Sequence, residues 1–150
     1  MKKKMFISGV MAIMISLSPA NVFAAEDYPS DETAFNRSIS TLGLIDDYLN
    51  ECTVGTKKVH LKLETVGSET MDTIGFKNIV IQRSSNRTSW TNERYVSDQL
   101  INGSYIYTIY DLPVWVNGGY YYRAYVEHYA KSYGGSEETI GDYSNYVWVG

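Results

Sequence analysis

Few residues of this 150-residue chain could carry out covalent or acid–base chemistry. The single cysteine is Cys52, and the two histidines are His60 and His128. Neither histidine lies in a His-Glu-x-x-His, Gly-x-Ser-x-Gly or phosphate-binding glycine motif. Cys52 and His128 could pair as nucleophile and base in a cysteine-dependent enzyme, but the residues flanking Cys52 match no protease signature. We therefore predict a non-enzymatic protein without catalytic residues.

Cys52 cannot form an internal disulfide, because the chain has no second cysteine. We predict that it is a small buried hydrophobe, and an intermolecular disulfide in a dimer is the alternative. Two histidines and one cysteine without short spacing do not make a zinc site. Asp46-Asp47 and Glu137-Glu138 could offer carboxylate oxygens to calcium, but exposed acid pairs are usually solvated. We predict no metal site and no cofactor.

The residues that stand out are aromatic. Of the 14 tyrosines, 12 lie from Tyr95 onward. The segment 120–130 has the residue types of a strand, in which successive side chains point to opposite faces. The inward set, marked by Ala124 and Val126, is predicted to be Tyr120, Tyr122, Ala124, Val126, His128 and Ala130. The outward set is predicted to be Tyr121, Arg123, Tyr125, Glu127 and Tyr129.

A last strand over 143–149 would add Tyr146 and Trp148 to the outward set, if it pairs with 120–130. The predicted ligand-binding residues are Tyr121, Tyr125, Tyr129, Tyr146 and Trp148. Two explanations compete for this stripe. Cross-strand aromatic pairs stabilise a sheet by roughly 0.2–1 kcal/mol each. Rigid amphipathic rings also make good contact surfaces, here for a glycan or a protein at the cell surface.

The elements that must position these residues are short strands. Alternating or β-branched patterns predict strands over 59–63, 76–83, 104–111, 120–130 and 143–149. Turns are predicted at 67–69, 84–87 and 117–119, a strand end at Leu112-Pro113, and a polar loop over 131–142. Residues 41–52 fit either a short helix or an opening strand. The pattern predicts an all-β antiparallel β-sandwich over 56–150, after a loosely ordered or short helical N-terminal lead-in over 25–55.

Part of this pattern resembles a fibronectin type III or immunoglobulin-like sandwich. The resembling segments are Ile79–Ser85, Asp111-Leu112-Pro113, Gly119–Tyr125 and the closing Tyr143–Val147. The resemblance implies a Leu-x-Pro corner, a tyrosine-rich penultimate strand and a pairing of that strand with the last one. Val114-Trp115-Val116 intervenes between the corner and the glycines, and no tryptophan marks the third strand.

A second resemblance covers most of the chain after residue 24. It is to an uncharacterised family of small secreted proteins from Gram-positive bacteria, which share a domain of unknown function. The matching residues are Asp72–Gly75, Gln82-Arg83, Ser89-Trp90, Gly119–Arg123 and His128, with Glu137 or Glu138. This resemblance implies export and a β fold, and it carries no activity.

The first 24 residues have the pattern of a signal peptide. Lys2, Lys3 and Lys4 precede an apolar run that ends near Leu17, and small residues lead to a cleavage site after Ala24. The run is roughly 13 residues, too short to cross a ~30 Å hydrocarbon layer. We therefore predict a secreted, extracellular product with no membrane association after cleavage.

Removal of residues 1–24 leaves ten basic and seventeen acidic side chains, a net charge of −7. This charge argues against nucleic acid as a partner, because neutralising phosphates needs clustered Lys and Arg. The leading hypothesis is a secreted non-enzymatic binding module that uses the outer aromatic face. Alternatives are a secreted effector, such as a bacteriocin or an inhibitor, and the cysteine-dependent enzyme. The oligomeric state does not follow from the sequence.

Overall fold

The computed structural model describes residues 37–39 and 43–150. Their regular elements are eight strands: β1 (Arg37–Ile39), β2 (Ile45–Gly55), β3 (Lys58–Ser84), β4 (Thr91–Val96), β5 (Gln99–Trp115), β6 (Tyr120–Lys131), β7 (Glu137–Tyr143) and β8 (Val147–Val149). All pairings between them are antiparallel. Since the described residues contain no helix, the predicted all-β antiparallel class is confirmed. The predicted signal peptide lies outside the described residues.

Strand β3 organises the fold because it pairs along both edges. On one edge its first half pairs with β2 and its second half with β6. On the other edge it pairs first with β5 and then with β4. The register with β5 shifts between Val66 and Met71, and residues 68–70 are exposed. The turn predicted at 67–69 is wrong, because the chain continues through these residues in the same strand.

Both halves of β3 contribute to one core, so the strand folds over on itself and gives the fold two layers. Val59, Leu61 and Leu63 in the first half alternate with half-buried polar residues and are fully buried. Burial of a side chain of this size contributes roughly 1.5–3 kcal/mol to stability. The main core consists of Cys52, Val59, Leu61, Leu63, Phe76, Ile79, Ile81, Val116, Tyr122, Ala124, Val126 and Val149.

A smaller core lies near the bend of β3. It contains Ile45, Met71, Ile74 and Ala130. Ile45 begins β2, which pairs with β3 as far as Gly55. Residues 41–52 were expected to form either a short helix or an opening strand, and from Ile45 onward they form a strand. This part of the 25–55 lead-in is an ordered strand of the sheet, not a loose or helical segment, whereas residues 25–36 and 40–42 lie outside the described residues.

The C-terminal half differs from the prediction in three places. Strand β5 continues through Pro113, because β5 pairs only with β3 and an edge strand tolerates a residue without an N–H. The polar loop predicted over 131–142 contains β7, which pairs with β6 from Lys131 to Tyr125. The single last strand predicted over 143–149 is interrupted at residues 144–146. The turns at 84–87 and 117–119 are confirmed as connections before β4 and before β6.

Candidate functional site

The alternation predicted for β6 is confirmed. Its inward residues Tyr122, Ala124, Val126, His128 and Ala130 are buried. Its outward residues Tyr121, Arg123, Tyr125 and Glu127 are half-buried on the outer face of the sheet. The neighbours of β6 on this face are β8 and β7 on one side and β3 on the other.

Three rings meet at the β8 end of this face. Tyr121 and Trp148 are opposite each other in the register of β6 and β8, with ring centroids 4.9 Å apart at 61°. Tyr146 packs edge-on against Tyr121, with centroids 5.9 Å apart at 89°. Such tilted contacts between rings stabilise the pair by about 0.5–1.5 kcal/mol beyond their buried area. Trp90 lies in the β3–β4 connection and packs against Tyr146, with ring centroids 6.2 Å apart.

A second pair of rings lies further along β6. Tyr125 and Tyr143 are register partners with centroids 5.0 Å apart at 51°. Arg123 connects the two groups, because its Cζ lies 4.3 Å from the Trp90 ring centre and 4.1 Å from the Tyr143 ring centre. We call the following set the aromatic row: Trp90, Tyr121, Tyr125, Tyr143, Tyr146 and Trp148. Tyr143, Tyr146 and Trp148 are 44 %, 40 % and 49 % exposed.

Four of the five predicted binding residues belong to this row, and Tyr129 does not. Tyr129 is only 5 % exposed, and the Lys77 ammonium lies 3.3 Å from its ring centre. Its burial raises the pKa of its phenol. A position on the outward face of β6 therefore does not expose Tyr129, because the side chain of a neighbouring strand covers it.

Two members of the row were not predicted. One continuous strand over 143–149 would place Tyr143 on the face opposite to Tyr146 and Trp148. Ser144 breaks that strand: its N–H donates to the Ala124 carbonyl at 2.9 Å, and its hydroxyl oxygen accepts from the Ala124 N–H at 2.8 Å. Asn145 then bonds both backbone groups of Cys52 at 2.8 Å. These bonds interrupt the strand at residues 144–146, so side chains no longer alternate between faces there. Tyr143 and Tyr146 therefore both lie on the outer face.

Trp90 was missed because it belongs to a connection rather than a strand. The connection is ordered by Asn86, whose side-chain oxygen accepts the N–H groups of Thr88 and Ser89 at 3.0 and 2.9 Å. The Trp90 indole donates to the carbonyl of Arg87 at 3.2 Å. The only sequence signal for this arrangement is the Asn at the turn, which favours local side-chain-to-backbone bonds.

Charges at the row are unevenly distributed. The Arg123 Nε donates to Gln82 Oε1 at 2.9 Å, and its burial lowers the pKa of the guanidinium. Arg87 lies over the Tyr121 ring, with its Cζ 5.4 Å from the ring centre. Glu127, at the other end, accepts hydrogen bonds from Asn78 at 2.5 Å and from the Tyr125 hydroxyl at 3.3 Å. Burial, together with the Glu127 charge, raises the pKa of Tyr125.

The residues considered for catalysis are buried. Cys52 is 1 % exposed and unpaired in a disulfide, and burial raises its pKa to about 12. Its predicted role as a small buried hydrophobe is confirmed. His128 is fully buried with its Nδ1 2.9 Å from the Thr65 hydroxyl, and burial lowers its pKa to about 4. In the described part of the chain, no three His, Cys, Asp or Glu side chains group closely enough to hold a metal ion.

The molecule also has clefts away from the row. One of about 380 Å³ lies between β4 and the end of β5, next to Tyr95 and Trp115, which are 74 % and 64 % exposed. Another of about 480 Å³ lies between Gly43 and Glu138. The aromatic row is therefore an open face rather than the lining of either cleft.

No protein-family model, curated protein or solved structure matches this chain. Both resemblances given above therefore stay predictions. The described part of the chain contains no helix with the length and apolar character that a membrane crossing requires. Evidence for a function comes from the site itself: an all-β fold with an open row of aromatic side chains on one outer face.

Proposed function

We propose that the protein is a non-catalytic binding module that engages a polysaccharide through the aromatic row. The observation that supports this proposal is the continuity of the row, in which six rings and Arg123 contact one another across three strands and two connections. Large contiguous apolar patches are uncommon on monomeric proteins unless they bind something.

Sheet stabilisation alone explains only part of the row. Tyr121 and Tyr125 are half-buried on β6 and gain from cross-strand contacts. Tyr146 lies in a connection, and Trp148 lies on the three-residue strand β8. These two rings are 40 % and 49 % exposed, so they leave apolar surface in water that a purely structural role does not require.

A polysaccharide suits this face better than a protein partner. Protein interfaces concentrate their binding energy in well-packed, desolvated pockets, and the clefts described above lie elsewhere. The row combines open aromatic surface with phenol, indole and guanidinium donors. A sugar ring offers the matching surface, because it has apolar C–H faces and hydroxyl groups at its edge. We expect the module to act outside the cell, since residues 1–24 have the pattern of a signal peptide.

The test compares two matched double variants in retention on a panel of insoluble polysaccharides. Tyr146→Ser with Trp148→Ser removes exposed rings of the row. Tyr95→Ser with Trp115→Ser removes one tyrosine and one tryptophan that are more exposed but lie at the β4–β5 cleft. We expect the first pair to reduce retention at least ten-fold and the second to leave it unchanged.

Tyr146→Ser with Trp148→Ser should lower the free energy of unfolding by about 1–3 kcal/mol, because two ring contacts with Tyr121 are lost, and Tyr95→Ser with Trp115→Ser should stay within about 1 kcal/mol of the wild type. This is measured by urea unfolding. A wild type that no polysaccharide retains, or two double variants with equal retention, would contradict the proposed function.

A further inference from the structure

Arg123 is held in the middle of the aromatic row in a fixed orientation. Its guanidinium lies between Trp90 and Tyr143, with Cζ 4.3 and 4.1 Å from the two ring centres. Its Nε donates to Gln82, and the Gln82 amide donates in turn to Asn92 at 2.9 Å. Stacking on rings and a bond at Nε together restrict the plane of the guanidinium, which lowers the entropy lost when its other donors bind a ligand.

Among the described residues, no acid forms an ion pair with Arg123. The ion pairs among the described side chains are His60–Asp111, Arg83–Glu93 and Lys131–Asp72. Neither Arg123 nor Arg87 belongs to one of them. An arginine has five N–H donors, and the recorded side-chain bond of Arg123 uses only Nε.

The nearest acid along the outer face of β6 is already engaged. Glu127 lies four residues from Arg123 and accepts hydrogen bonds from Asn78 and Tyr125. The predicted exported part of the chain carries a net charge of −7. The aromatic row nevertheless contains two guanidinium groups, those of Arg87 and Arg123. Taking a cation partly out of water without a partner costs free energy, and an anionic ligand would offset that cost.

We infer that the polysaccharide bound by the row carries carboxylate groups, and that Arg123 binds a carboxylate while neighbouring sugar units pack against the rings. This inference rests on the proposed function. The planar fork of an arginine matches a carboxylate with two parallel hydrogen bonds. Arg87, above Tyr121, would contribute charge to a neighbouring unit of the polymer.

The experiment is affinity electrophoresis in gels that contain polygalacturonate or its methyl ester, at about 0.15 M salt, where surface charges are screened beyond about 8 Å. The two polymers share their sugar units and differ in the carboxylate charge. We expect the wild type to bind the acid form at least ten-fold more tightly than the ester. Arg123→Gln should remove that difference, and Arg123→Lys should remove most of it, because lysine keeps the charge but lacks the planar fork.

Arg94→Gln is the matched control, since Arg94 is an exposed cation at the β4–β5 cleft, and it should bind as the wild type does.

Equal binding of acid and ester, or equal effects of Arg123→Gln and Arg94→Gln, would overturn the inference. So would retention of an acidic peptide or of dextran sulfate as strongly as polygalacturonate. Retention on neutral polysaccharides alone would overturn the inference but leave the proposed function in place, whereas retention on none would contradict both. Arg123→Lys keeps the charge and tests the same inference if Arg123→Gln does not fold. Thermal unfolding measures the stability of both variants.

Discussion

At the scale of single residues, the interior contains a polar pair between the two layers. His128 is fully buried, and its Nδ1 lies 2.9 Å from the hydroxyl of Thr65. Its ring contacts Tyr48 at 4.7 Å and Phe76 at 5.6 Å between centroids. A charged imidazole in this apolar setting is unfavourable, and burial lowers the pKa of His128 to about 4. We conclude that His128 is a neutral structural residue.

This pKa predicts a loss of stability in mild acid. An unfolded histidine has a pKa of about 6.5, so between about pH 6.5 and 4 the unfolded chain binds a proton that the folded chain does not. The free energy of unfolding therefore falls as the pH is lowered through this window, by about 3 kcal/mol in total at roughly 1.4 kcal/mol per unit. Urea unfolding at pH 7, 5.5 and 4 measures it.

The control is His128→Gln, which should lose most of the pH dependence in the same window. The comparison is needed because burial raises the pKa of Asp142, and this shift acts in the opposite direction: the stability that it contributes falls as the pH rises. An equal pH dependence of the two proteins would show that His128 is not the responsible group.

At the scale of elements, the sequence pattern predicts the faces of β6 and two of the turns, but not the bend inside β3. The two faces of β6 follow directly from a period of two, which places Tyr121 and Tyr125 in the row. Tyr146 and Trp148 follow from the same spacing of two residues at the end of the chain. The sequence contains no comparable signal for the bend of β3 at 68–70, because Gly67 fits a turn and a bend in a strand equally well. Likewise, Tyr143 could not be assigned to the row without the bonds of Ser144 to Ala124.

A glycine supports the close pairing of β3 with β5 beyond that bend. Gly75 has φ +152°, and a Cβ there would overlap the carbonyl oxygen of Gln99 on β5. We expect Gly75→Ala to separate the strands locally and to reduce the free energy of unfolding by about 1–3 kcal/mol. Gly134→Ala is the control, because its Cβ would meet only the Ser132 hydroxyl at an ordinary 3.6 Å.

Urea unfolding of the two variants measures the difference. Gly134→Ala should stay within about 0.5 kcal/mol of the wild type, as surface changes usually do. Equal stabilities of the two variants would mean that β3 and β5 have room to relax at Gly75 and that the close approach is not required.

At the scale of the whole molecule, the two outer faces of the sandwich differ. The outer face of the layer formed by β2, β5 and the first half of β3 carries polar contacts, such as His60 with Asp111 at 2.5 Å and Thr108 donating to Glu64 at 3.0 Å, and separate exposed rings, such as Trp115 opposite Lys58. The outer face of the layer that contains β6, β7 and β8 carries the aromatic row. A sandwich needs apolar residues only on its inner faces, and water can cover both outer faces. The continuous contact among the rings of the row and Arg123 is therefore not required by the fold, and this continuity supports a binding role.

Tryptophan fluorescence tests the polysaccharide-binding role of the aromatic row most directly. The chain has three tryptophans, of which Trp90 and Trp148 lie in the row and Trp115 lies at the β4–β5 cleft. The variant Trp115→Phe is titrated with a soluble form of a polysaccharide that retains the wild type. We predict a saturable blue shift, because bound sugar removes water from the rings. The double variant Trp90→Phe with Trp148→Phe should show no shift. A blue shift in the double variant, where only Trp115 remains, would contradict the proposed function. So would the absence of a shift in Trp115→Phe, where both tryptophans of the row remain.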